Sequence, residues 1–148
     1  MSGTVETWIV VADGAGARVF EERRRLGRLI ERADLAMQSH EDRHRAPGNA
    51  ATVVDRSGFG RHASATVDPA ARAEQHFLTR LAAQLDAAAL ANDFEHLVIV
   101  APPHALGVLR GALSAATARR IEVCDPHERR GEDAGALQAR LRHLRSLV

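Results

Sequence analysis

The chain has 148 residues, the length of one domain, and 45% of them are apolar, so a core can form without disulfide or metal staples. Aromatics make up only 3%, tyrosine is absent and the formal charge is +1. That excludes a base-stacking nucleic-acid platform and a strong overall pull toward polyanions or membranes.

From the N-terminus, Trp8-Ile9-Val10-Val11-Ala12 is a continuous apolar run that meets Asp13-Gly14-Ala15-Gly16. It predicts a buried strand followed by a tight turn. Ala17-Arg18-Val19-Phe20-Glu21 alternates apolar and polar residues, as a half-buried strand does. After a polar turn over 24–28, residues 29–35 predict a third strand, which completes an antiparallel meander, although the same stretch can also be read as helical. Residues 38–67 keep no period and carry Pro47-Gly48-Asn49 and Ser57-Gly58-Phe59-Gly60. They predict a long loop, of the kind compact domains keep for function or leave disordered.

Asp68-Pro69 opens a helix, with Asp as the cap and Pro in the first turn, where its missing N–H costs nothing. Phe77, Leu78, Leu81, Leu85 and Ala88 form an apolar stripe that carries this helix to about residue 91. Residues 96–101 predict a second buried strand, and Pro102-Pro103 stops it and starts a helix to about 113. Residues 121–124 predict a short strand, residues 127–133 a charged loop, and Leu137, Leu141, Leu144 and Val148 the stripe of a terminal helix. This order predicts an α/β fold in one domain, 1–148. The sheet is mixed and five-stranded, a meander followed by strand–helix alternation, with about three helices in a ribonuclease H-like arrangement. The strand at 97–101 is expected to lie parallel beside the first strand, through a right-handed crossover made by the long helix.

Several motifs bear on chemistry. His40-Glu41-Asp42-Arg43-His44 matches the H-E-x-x-H pattern of zinc peptidases, which makes His40 and His44 nominal metal ligands. The segment is all charge, lies in the predicted loop and is soon followed by Pro47-Gly48, so it reads as a chance match. Asp13, at the end of the first strand, is a candidate carboxylate for metal-assisted nucleic-acid cleavage if Asp125 or Asp55 joins it. Asp-Gly is equally a turn signal, and the turn is the favoured reading. The glycines at 14 and 16 do not make a Walker loop, because all twenty basic residues are arginine and none is lysine. His104, just after Pro102-Pro103, marks a helix start at which an anion can sit. Cys124 reads as a small apolar strand residue. Ser57 and Ser64 lack a nucleophile elbow. Arg119-Arg120 and Arg129-Arg130 read as solvated charge.

Three ordered segments then carry a resemblance. They are Trp8 to Gly14 with Ala17-Arg18-Val19-Phe20, then Gly58-Phe59-Gly60-Arg61-His62-Ala63, then Leu97 to Pro103 with Leu106-Gly107-Val108-Leu109-Arg110. Together they resemble the bacterial host-attachment protein family over nearly the whole chain. That family is similar to the middle domain of archaeal and eukaryotic class-1 peptide-chain release factors and of Pelota-like rescue factors. In release factors a loop ending in Gly-Gly-Gln precedes a long helix and reaches the peptidyl-transferase centre. Gly58 to His62 stands in the corresponding place, but the glutamine is missing and Arg61 falls near it. The resemblance therefore implies a glycine-hinged basic loop without the hydrolytic residue. Arg56, Gly58, Gly60, Arg61 and His62 would form the contact with RNA phosphate.

The combined expectation is a release-factor-like binding module, rather than an enzyme, that meets RNA, tRNA or the ribosome and needs no cofactor. A metal-dependent nuclease using Asp13 and a cell-attachment protein are the alternatives. One cysteine, no leader-like start and no apolar run near the roughly 20 residues that span a bilayer point to the cytoplasm, without membrane insertion.

Overall fold

The computed structural model describes residues 5–39 and 68–147. Strand β1 (Val5–Ala12) is central. It pairs antiparallel with β2 (Gly16–Glu22) and parallel with β5 (Phe94–Val100), and β5 pairs parallel with β6 (Ile121–Asp125). On the other flank β2 carries β3 (Leu29–Glu31) and a two-residue strand β4 (Met37–Gln38). The helices are α1 (Pro69–Leu90), α2 (Pro103–Ala112), α3 (Ala115–Ala118) and α4 (Ala134–Ser146). The fold is α/β, as expected, with β1 and β5 parallel and joined through α1.

Two details of the expectation are corrected. The sheet has six strands rather than five, because the third predicted strand stops at Glu31. There Arg32 bridges Glu21 and Asp34, at 2.6 and 2.7 Å. A 3-10 turn at Ala33–Leu35 follows, and Met37–Gln38 comes back to pair with Ala17 and Gly16. The described residues form four helices rather than about three. The extra one, α3, is a single turn capped by Ser114, whose Oγ accepts from Thr117 N at 3.2 Å. Asp86 of α1 holds it in place by accepting from Thr117 Oγ1 at 2.6 Å and from Ser114 N at 3.0 Å. The expected long loop, beyond Ser39 and up to 67, lies outside the described residues.

The central strands read as unbroken apolar runs because both sheet faces are covered. One face sends Trp8, Val10, Val19, Leu97 and Ile99 against Phe77, Leu81 and Leu85 of α1 and Leu109 of α2. The other sends Ile9, Val11, Phe20, Val98 and Val100 against Leu137 and Leu141 of α4. Caps start the two long helices: Asp68 Oδ2 accepts from Ala71 N, and Asp133 Oδ1 from Ala136 N. The β5–β6 register slips between Leu97 and Val98, which pair with Ile121 and Val123.

A buried ion network fixes α4. The Arg145 guanidinium grips Glu22 of β2 with two hydrogen bonds of 2.7 and 2.8 Å, and its Nε reaches Glu122 of β6 at 3.0 Å. Arg25 closes the far side of Glu122 at 2.6 Å. Burial opposes the charged form of Glu22, but hydrogen bonds from Arg145 and Thr7 outweigh it and hold the carboxyl below its ordinary range. Glu122 behaves likewise: burial opposes its charge, and Arg25 and Arg145 overcome it. Removing one partner of a buried pair strands the other charge, at a cost of roughly 3–5 kcal/mol. Arg145→Ala is therefore expected to lower unfolding stability by about that much in urea titration.

The pH dependence follows from the same pair. Both folded-state pKa values are depressed, so the stabilisation is fully present above the unfolded carboxylate range and is lost as pH falls through the folded values. The urea midpoint should hold steady from neutral pH to about 5 and drop below about 4. A midpoint that falls instead between pH 7 and 6 would contradict the network's role.

Candidate functional site

Strands β1, β5 and β6 are parallel, so their carboxyl ends share one edge of the sheet. Open α/β sheets hold ligands just outside that edge. Asp13 follows β1 there. Its Oδ1 accepts from the backbone N–H groups of Ala15 and Gly16, at 2.8 and 2.9 Å, and its Oδ2 pairs with Arg130 Nε at 3.1 Å. The favoured turn reading of Asp13-Gly14 is thus what the backbone adopts. The need for glycine here is spatial: a Cβ on Gly14 would lie 2.6 Å from Glu74 Cδ of α1, and one on Gly16 would run into the Arg130 guanidinium. The turn is packed between a carboxylate and a cation.

Asp125 ends β6 and is 1% exposed. Its two oxygens are taken by His127 Nδ1 and Arg129 Nε, each at 2.6 Å. Burial opposes its charge, but the hydrogen bonds from His127 and Arg129 keep the carboxyl below its usual range. Arg129 also reaches Glu132 at 3.2 Å. Arg18 ties the same loop to the sheet by donating to the carbonyls of Arg130 and Glu132, at 2.6 and 2.7 Å. The His127 side chain is 62% exposed. With Nδ1 held by a carboxylate, the neutral ring offers Nε2 as an acceptor, and the protonated ring offers a second N–H. The edge therefore presents an oriented imidazole next to guanidinium groups.

Of the residues expected from sequence, Asp13 and Asp125 do come to this edge, but their oxygens are already occupied by N–H groups and arginines. Asp55, Arg56, Gly58, Gly60, Arg61, His62, His40 and His44 lie outside the described residues. His104 is exposed in the first turn of α2. Cys124 is half-buried, and burial pushes its thiol up, in keeping with an unreactive side chain. Three arginines read as solvated are instead structural. Arg120 donates to the Phe94 carbonyl at 2.6 Å, Arg129 holds Asp125, and Arg130 holds Asp13. The spacing Asp125-x-His127-x-Arg129 directly after an apolar strand was the available signal for this site. Among the described residues, one set of three metal-type donors falls together, Glu6, Glu95 and His96, and it does not include Asp13.

A family model described as proteins required for attachment to host cells matches residues 8–141 of the chain. A search of curated proteins finds no match to it. The site geometry makes its own prediction. Asp125→Ala removes the buried acceptor shared by His127 and Arg129 and should cost roughly 1–3 kcal/mol, whereas His127→Ala, at an exposed ring, should cost less than about 1 kcal/mol. Chemical denaturation of the two variants side by side checks the ordering.

Proposed function

We propose that this chain, which belongs to the family of proteins required for attachment to host cells, works as a binding module for the phosphate backbone of RNA, in tRNA or the ribosome. One observation carries the reading. Both described ends of the segment that holds Arg56, Gly58, Gly60, Arg61 and His62 are anchored at the carboxyl edge of the sheet. Ser39 N donates to Ala15 O at 2.9 Å. Asp68 caps α1, whose Glu74 lies against Gly14. The described residues that flank the segment, Ser39 and the start of α1, therefore belong to the side of the sheet that carries Arg130 and His127. Arginine suits phosphate because its planar fork donates two parallel hydrogen bonds. The likeness of the sequence to release-factor middle domains is the ground for proposing RNA as the partner, and the missing glutamine argues for binding without hydrolysis. Co-sedimentation with ribosomes at low and high salt tests it. Phosphate contacts predict binding that weakens steeply with salt and that Arg61→Ala reduces. An absence of binding at low salt removes the proposal.

The family description favours a second reading, in which the chain contributes to contact with a host cell. No described helix is long and apolar enough to cross a membrane. Protease accessibility on intact cells decides this reading: a chain fully protected until lysis cannot touch a host directly.

A further inference from the structure

A second feature lies on the α1 side of the sheet, away from the carboxyl edge. Trp8 stands in the wall of a cavity of about 270 Å³ between α1 and the stretch from Asp34 to Met37. Its ring leans on Phe94, with centroids 5.0 Å apart. Trp8 is 6% exposed, and among the described residues its indole N–H has no hydrogen-bond partner. A buried donor left unpaired costs on the order of 1–3 kcal/mol, so native structures rarely keep one. The lining is mixed: Leu81 and Leu85 of α1 and the half-buried Leu35 and Met37 opposite are apolar, and the exposed Gln84 of α1 adds a polar side chain. Asp34 and Asp93 are exposed at the mouth. Asp34 is matched by Arg32, while Asp93 has no cation beside it among the described residues.

We propose that this cavity binds a small, uncharged, largely apolar molecule carrying one hydrogen-bond acceptor, which takes the indole N–H of Trp8. A small pocket that combines apolar side chains with a few placed polar groups is the usual design of a ligand site. The volume limits the guest to roughly one ring, since ligand pockets generally run from about 300 Å³ upward. The nitrogen has less than 1 Å² of exposed surface. The guest therefore reaches it only when the lining shifts, and among the lining residues Met37 is suited to give way because methionine is flexible. The mouth carboxylates disfavour an anion. This site is independent of the phosphate-binding reading, and Arg61→Ala is expected to leave it unchanged.

Trp8 is the sole tryptophan and there is no tyrosine, so emission excited at the indole reports on this cavity alone. The probes are benzamide, which carries an acceptor, toluene, which has the ring without one, and benzoate, which is anionic. Benzamide should change Trp8 emission saturably and bind about tenfold more tightly than toluene, the worth of one hydrogen bond to a buried donor. Benzoate should not bind. Ala87→Phe, at an exposed position on the cavity's lining, keeps the core intact and should abolish the response. In Trp8→Phe, read by thermal shift, benzamide should lose its advantage over toluene. Equal binding of benzamide and toluene, an unaltered response in Ala87→Phe, or no saturable response in the full chain would each overturn the proposal.

Discussion

The structure depends most on one side chain, Arg145. It sits at the C-terminal end of the last helix and reaches back to Glu22 on β2 and Glu122 on β6, with Thr7 of β1 at 3.5 Å. Three strands from distant parts of the sequence and the helix that covers them are thus joined at one guanidinium. Apolar contacts between α4 and the sheet come from few residues, chiefly Leu137 and Leu141. Hydrophobic contact fixes direction poorly, whereas a bidentate pair fixes it well. The network therefore sets where α4 lies, and α4 in turn places the loop that precedes it, with His127, Arg129 and Arg130.

That loop explains why the carboxyl edge is ordered. Asp125 holds two neighbours, Asp13 holds the following arginine, and Arg18 ties down the intervening backbone carbonyls. The charges are largely matched in pairs. What is left over is an exposed, oriented imidazole, together with the partly exposed Arg130. A ring oriented by a carboxylate in this way can meet a partner without first losing much freedom.

Much of the fold was legible in the sequence. The apolar runs at β1 and β5 and the stripe of α1 come from periodicity that both faces of the sheet enforce. What was missed has a physical reason in each case. The third strand is predicted too long because Leu29 to Leu35 contains no Gly or Pro to end it, while the Arg32 bridge to Glu21 and Asp34 turns the chain after Glu31. The single-turn α3 has too few residues to show a period and is made by the cap at Ser114 and by Asp86, a residue 28 positions away from it. The arginines at 120, 129 and 130 looked solvated because their acceptors, Phe94 O, Asp125 and Asp13, are gathered by the tertiary fold. Asp13 was legible as a turn former. The cavity beside Trp8 had no sequence signature at all, since it exists only where α1 and the return from β3 to β4 face each other.

The slipped register of β6 has a structural consequence of its own. Ile121 and Cys124 both pack toward the α1 side, while Val123 packs toward α4. An odd spacing between two residues on one face means that a residue has been inserted, and it allows Glu122 to swing to the side of Arg145. Among the described residues β6 is also the outermost strand on its side of the sheet. An inserted residue twists such a border and spoils the even ladder another strand would need, and Pro126 directly afterwards allows it no extension. The same irregularity that delivers a carboxylate to the anchor of α4 thereby guards the sheet against growing sideways into an aggregate.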